Sequence, residues 1–481
     1  MQWYIWGLAA AGKFFEGLVV FTTGVALPLI ALEFGLGPVE KGMTGAAALF
    51  GILVGASALG GLADHFGRRC MFIVEMLIFV LFLVLVSCSS SFPWLLFALF
   101  GLGVSLGCDY PTAHLIISES TPSNSRGRLV LSAFGFQAVG ALVGTAVGLF
   151  ILRTHESLGD WRWMYATAIV PAALVLAGRF FIPQSGLWLM ARGRIVEAER
   201  EIEMLLRRSP PYPRKVCLSR SHDTHAQVAT TRKLGFAALF SARYRRATIL
   251  AAVPWFLQDL GTYGIGIFTP IILASTVGAR NEHARNLAEL IHNDMLGARG
   301  AALIDVLLIA GIIGAVFLVD SVGRLRLQIL GFIGCAAGLF LAACSSYCDG
   351  VASTVLIFAG FMLFNFMTNL GPNAMTYLIA GEVFPTSIRG AGAGFAASVA
   401  KVGAVTTSFL FPILLQDIGT AVLLYILVGT SLLGALITWW LGVETRGVSL
   451  ETMEHEQKAD PVTHVGRVLV RSLPDLGPRS R

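Results

Sequence analysis

The sequence predicts an all-α membrane protein in which twelve transmembrane helices form two six-helix pseudo-repeats. Three observations carry that expectation. Of 481 residues, 55% are hydrophobic and 13% charged, about half the charged fraction of an ordinary soluble domain. Apolar stretches such as 43–63 recur along the chain, each near the roughly 20 residues that a helix needs to cross about 30 Å of hydrocarbon. The chain also repeats itself. Glu119, Pro122, Arg126 and Gly127 return as Glu382, Pro385, Arg389 and Gly390 at a constant offset of 263.

The expected spans have cores at 8–31, 43–63, 70–88, 93–117, 129–151, 163–182, 247–274, 300–319, 327–344, 352–380, 391–415 and 420–442. The start, Met1 to Ala11, lacks the basic n-region of a cleavable signal and runs into the first span. Between spans six and seven lies a polar stretch with a surface helix from Ile195 to Arg208 and a break at Pro210, Pro211 and Pro213. The chain thus divides into a first bundle (1–182), a central loop (183–246), a second bundle (247–442) and a tail (443–481). Gly140, Gly144 and Gly148 give span five a flat stripe for close helix approach. The seven scattered cysteines read as small apolar packing residues, not disulfides or metal ligands.

Orientation follows from the basic residues. The loops after even-numbered spans, the central stretch and the tail hold 26 of the 35 Lys and Arg. The opposite loops hold six, and Lys13, Arg179 and Lys401 fall within spans. Both termini and the central loop are therefore expected in the cytoplasm, across a plasma (inner) membrane. The net charge of +6 is then a topology signal and does not point to nucleic acid.

Candidate site residues come from the cost of polar groups in hydrocarbon. Glu16, Asp109, Gln137, Asp259, Asn373 and Lys401 lie roughly 12–20 Å from the nearer end of their spans at about 1.5 Å per residue. Trp255, Asp259 and Tyr263 stand at i, i+4 and i+8 and share one helix face. That face suits a small polar ligand. Each residue also has a plainer reading: Asp109 and Asp259 as structural partners of helix-terminal or amide groups, Gln137 and Asn373 as interhelical bonds, Trp255 and Tyr263 as packing aromatics, Glu16 as the partner of Lys13, and Lys401 as a snorkelling lysine.

The loop Gly60-Gly61-Leu62-Ala63-Asp64-His65-Phe66-Gly67-Arg68-Arg69 resembles the signature between spans two and three of the major facilitator superfamily. The second half repeats it as Asp320, Gly323 and Arg324. The resemblance implies the major facilitator fold and a cytoplasmic gate. That gate is built from Gly61, Asp64, Gly67, Arg68, Asp320, Gly323 and Arg324, with Glu119, Arg126, Glu382 and Arg389. Within the superfamily, Gly107-Cys108-Asp109-Tyr110-Pro111-Thr112-Ala113 and Asn369-Leu370-Gly371-Pro372-Asn373-Ala374 resemble segments of the phosphate:proton symporters, which are relatives of the sugar porters. Trp255, Asp259, Tyr263, Gln137 and Lys401 match that family's site positions. Where the family has two acids in span one, this chain has Glu16 and Val19.

The resemblance implies a substrate site of Tyr110, Gln137, Trp255, Asp259, Tyr263, Asn373 and Lys401, with Glu16, Asp109 and Asp259 coupling protons. The expected function is proton-coupled symport of a small anion, phosphate first, by alternating access. The expected partners are that solute, protons and the lipid bilayer. A sugar, polyol or organic acid remains open as substrate, and a non-transporting nutrient sensor as another class. The metalloprotease motif His-Glu-x-x-His is absent, so no enzyme is expected, and no cofactor either.

Overall fold

The structure is a computed structural model that describes residues 1–59, 65–120, 126–154, 157–206, 236–277, 287–384 and 388–442. It is helical throughout those residues, with no strand among them. Among the described residues, ten helices are long and apolar enough to cross a membrane. One of them, Arg389–Leu441, is two spans joined at Gly419, whose φ of 76° and ψ of 168° break the helix. Span six is missing from the ten because it is broken into Asp160–Ala166 and Ile169–Arg179. Counting these, the described residues hold the twelve spans expected.

The helix limits follow local chemistry. Span one, Gln2–Phe34, ends at Gly35 in the left-handed conformation, whose N–H bonds the Ala31 carbonyl. Span two, Pro38–Val54, opens with proline at its first turn and continues as a π-helical turn over Gly55–Leu59. Spans three and nine, Arg68–Ser87 and Arg324–Cys344, each begin after a glycine of nearly identical conformation. Gly67 has φ 99° and ψ 148°, Gly323 φ 100° and ψ 153°. This conformation strains any residue with a Cβ, so the repeated signature is a repeated turn.

Span four is Phe92–Ser120, span seven Arg245–Val277 and span eight Leu287–Val322. Span five is Arg126–Phe134 and Phe136–Thr154, interrupted at Gly135. Span ten, Val351–Leu370 and Pro372–Glu382, is interrupted at Gly371 because Pro372 has no N–H to continue the ladder. The expected surface helix is present as Ile195–Leu206. Pro210, Pro211, Pro213 and the tail lie outside the described residues.

Small residues set the packing. A Cβ at Gly140 would collide with the Phe14 carbonyl and one at Gly144 with that of Leu18, so span five lies directly on span one. The repeats meet along spans one and seven, two and eleven, and five and eight. There Gly24 abuts the Ile267 carbonyl and Gly42 the Phe409 carbonyl. Large apolar side chains such as Leu174, Phe317 and Trp439 are exposed, as a bundle facing hydrocarbon requires. Cys108 and Cys335 are buried as expected of packing residues, whereas Cys70, Cys88 and Cys348 are exposed.

Candidate substrate and proton site

Four spans deliver one buried polar cluster between the repeats. Lys401 of span eleven donates from Nζ to the Tyr263 hydroxyl at 2.7 Å and to Asp259 Oδ2 at 3.3 Å. It also lies 3.9 Å from Glu16 Oε1. Tyr263 donates to Glu16 Oε1 at 3.1 Å, and Gln137 Nε2 donates to the same oxygen at 3.2 Å. The other Glu16 oxygen accepts from Lys13 Nζ at 3.1 Å. Lys13, Glu16, Asp259 and Lys401 are all buried, at 4%, 1%, 1% and 2% exposure. Lys401 is therefore far from snorkelling: its charge is held by two acids at the interface of the repeats.

The i, i+4, i+8 face of span seven is realised. Asp259 and Tyr263 both face Lys401, and Trp255 is one helical turn nearer the signature loops. Trp255 meets Tyr377 of span ten edge-on at 6.1 Å, and Tyr377 stacks on Phe134 of span five at 4.8 Å. These aromatics join the repeats beneath the charged cluster. Further out on the same side, Ser57 bonds Ser398 at 2.8 Å and Arg128 bonds Asp320 at 2.6 Å. The opposite side is closed by the glycine contacts of spans one with seven and two with eleven. The cluster is thus enclosed from both ends.

Two expected residues stand elsewhere. Asn373 belongs to an amide chain on another face of span seven: it accepts from Gln258 Nε2 at 3.1 Å and donates to Asn369 Oδ1 at 2.6 Å. Asn369 in turn donates to the Leu308 carbonyl at 2.9 Å. Asp109 accepts from Arg179 Nη2 at 2.9 Å, inside the first repeat. The side chain of Tyr110 lies outside the described residues.

Part of the residue set expected to form the gate lies among the described residues. Arg324 contacts Asp320 at 3.4 Å and Glu382 at 3.3 Å. Arg128, which the motif reading did not include, adds the link to the first repeat. Arg68 begins span three after the Gly67 turn. Gly61 and Asp64, and the side chains of Glu119, Arg126 and Arg389, lie outside the described residues.

Sequence reasoning missed Glu75, Arg179 and Tyr377, and also Asp305, which accepts from Thr145 Oγ1 at 2.8 Å across the repeats. The signal was available for the charged ones, since all are ionisable residues inside spans. What the sequence does not contain is which helix each one faces.

Twelve spans in two repeats, with a charged cluster enclosed between them, define a membrane carrier of the alternating-access type. Residues 8–456 match the family model "Sugar (and other) transporter". The chain belongs to that family, within the major facilitator superfamily, and is a transporter and not an enzyme. It is 29% identical over 444 residues to the inner membrane metabolite transport protein YgcS of Escherichia coli (strain K12), covering 90% of both chains. It is 28% identical to the repressible high-affinity phosphate permease of Neurospora crassa, covering 83% of this chain and 75% of the relative. Among solved structures, it resembles the proton:xylose symporter XylE of E. coli bound to 6-bromo-6-deoxy-D-glucose. The TM-score is 0.74 at 20% identity, over 95% of this chain and 99% of that one. At that identity the likeness concerns the fold.

Proposed function

We propose that this transporter is a proton-coupled symporter of a small oxyanion, inorganic phosphate first among candidates. In this reading both termini face the cytoplasm of a plasma membrane, as the distribution of basic residues indicates. The observation that carries the proposal is Lys401 held between Asp259 and Glu16. With Lys13 and Lys401 charged and both acids ionised, the cluster is neutral. An incoming anion adds a negative charge in a site where charge imbalance is expensive. A proton on Asp259 removes that imbalance and releases Lys401 to the oxyanion. Asp259 then becomes a donor, and Gln137 and Tyr263 supply neutral donors beside it. Substrate and proton therefore favour each other's binding, which is the linkage that symport requires.

Alternating access follows from the two closures. The Trp255–Tyr377–Phe134 contacts and the Arg128–Asp320 pair close the cytoplasmic side, and the glycine contacts close the outer side. Opening one set at a time exposes the cluster to one compartment. The similarity to a phosphate permease agrees with an anion, and the fold is equally that of a sugar symporter. Amides and a tryptophan suit a hydroxyl-rich ligand too, so sugar is the second reading. Labelled phosphate uptake into proteoliposomes with an acidic exterior separates the two. Uptake blocked by unlabelled phosphate and indifferent to xylose or glucose is expected. Uptake of labelled sugar that phosphate leaves untouched would overturn the anion reading.

A further inference from the structure

Span one carries two charged residues one turn apart on one face, Lys13 and Glu16. A local pair would leave each satisfied by the other. The structure shows more than that. One oxygen of Glu16 accepts from Lys13 Nζ at 3.1 Å. The other accepts from Gln137 of span five at 3.2 Å and from Tyr263 of span seven at 3.1 Å, with Lys401 Nζ of span eleven at 3.9 Å. Donors from four spans, two in each repeat, thus converge on a single carboxylate.

This is the arrangement of an anion receptor. An ammonium faces each carboxylate oxygen, and neutral donors fill the remaining positions. The Lys13 and Glu16 side chains are 5% and 1% exposed. Span five comes close enough for Gln137 to reach Glu16, because a Cβ at Gly17 would already collide with the Gln137 carbonyl. The anion held in the receptor is the protein's own. Lys13 is attracted by Glu16 and Asp109 and opposed by the like charge of Lys401. Two ammoniums brought together in a buried site repel, and they are stable only with negative charge between them. Glu16 supplies that charge.

We propose that Lys13 is a second anion-binding cation, and that the solute is a dianion whose oxygens take the place of the Glu16 carboxylate between Lys13 and Lys401. This rests on the oxyanion reading above and deepens it by setting the valence of the ligand. Charge balance governs the exchange. Two lysines and two acids sum to zero, so a proton on Asp259 balances the first negative charge and a proton on Glu16 the second. Each proton comes from water and forms an O–H bond on a carboxyl oxygen. Glu16 then no longer competes for either ammonium. The charged and titratable groups facing Glu16 are Lys13 beside it, Asp259 and Tyr263 from span seven, Tyr377 from span ten and Lys401 from span eleven. Asp109 of span four acts on Lys13. A monoanion engages one ammonium and leaves the other without its counter-charge, so Lys13 confers a preference for the dianion that Lys401 alone would not.

Calorimetric titration of the full-length protein in lipid nanodiscs at neutral pH tests the valence. Phosphate, sulfate and malonate are compared with the monoanions nitrate and acetate. The wild type should bind dianions roughly tenfold or more tightly than monoanions, and Lys13→Met should lose that preference. Lys13→Met combined with Glu16→Gln removes both partners and strands no charge, and it should show the same loss. Glu16→Gln alone should bind dianions more tightly and take up one proton fewer, read from the dependence of the binding heat on the buffer. The proposal is overturned if monoanions bind the wild type as tightly as dianions, if the double variant keeps the wild-type preference, or if Glu16→Gln leaves proton uptake unchanged. Sulfate or malonate binding with this dependence on Lys13, while phosphate does not bind, would sink the phosphate reading and leave the role of Lys13 standing. A wild type that binds none of these anions would overturn both.

Discussion

Replacing Lys401 by methionine removes the cation that holds the central cluster and keeps the aliphatic stem. In the structure its ammonium is 2.7 Å from the Tyr263 hydroxyl, 3.3 Å from Asp259 and 3.9 Å from Glu16, with 2% exposure. Two consequences have separate magnitudes. Stripping one partner from a buried pair costs about 3–5 kcal/mol, because Asp259 is left charged against hydrocarbon-depth surroundings until it binds a proton. Neutralising Asp259 as well removes that penalty, so Lys401→Met with Asp259→Asn should be more stable than Lys401→Met alone. The double-mutant cycle should show a coupling within the ~0.5–3 kcal/mol range of contacting residues. For the ligand, a lost hydrogen bond to a charged group is worth about 1.5–3 kcal/mol, or roughly a 10- to 150-fold rise in phosphate Kd. Thermal unfolding of the purified protein reads the first consequence and equilibrium binding of labelled phosphate the second. Additive destabilisation in the cycle would refute the pairing. An unchanged Kd in Lys401→Met would refute its contact with the anion.

Other perturbations address the scaffold and the closures. Asp320→Asn breaks an ion pair whose partners are 59% and 42% exposed, so stability should change by less than about 1 kcal/mol. Spin labels at Phe66 and Gly394 should nevertheless report a larger open population at that end, and an unchanged distance distribution counts against the gate. Gly42→Leu forces a side chain into the Phe409 carbonyl, so the outer end should stay open and net uptake should fall while binding from outside persists. Uptake at the wild-type rate would show that this contact is not needed for closure. Gly67→Ala places a Cβ on a residue with φ of 99°, a strain of about 1–3 kcal/mol. A lowered unfolding midpoint is expected, and no loss would mean that the turn relaxes freely.

Much of this was legible in the sequence because membrane depth is legible. The cost of ionisable groups in hydrocarbon singled out Glu16, Asp259 and Lys401, and helical spacing placed Trp255 and Tyr263 on the Asp259 face. The structure brings Glu16, Gln137, Asp259, Tyr263 and Lys401 together. Interhelical partnership was not legible. Glu75 lies near the start of its span and Arg179 near the end of its own, so each alone resembles an interfacial residue. Only the packing of spans three, four and six closes them on Asp109. Asn373 looked equivalent to Gln137 by depth, yet the break at Gly371 turns it onto the Gln258–Asn369 chain. Span limits suffered similarly. The sequence placed a boundary between spans eleven and twelve, and the structure makes it with one glycine conformation at Gly419.

The central claim is that the charge state of Asp259 links proton to substrate. Its most direct measurement is accumulation of labelled phosphate by Asp259→Asn in proteoliposomes under an imposed pH gradient, beside exchange at equal pH. The asparagine keeps a donor for the oxyanion and cannot titrate. The account predicts persistent exchange, weak pH dependence of binding and no accumulation above equilibrium. Accumulation against a gradient with wild-type pH dependence would contradict it and leave Asp259 a structural partner of Lys401.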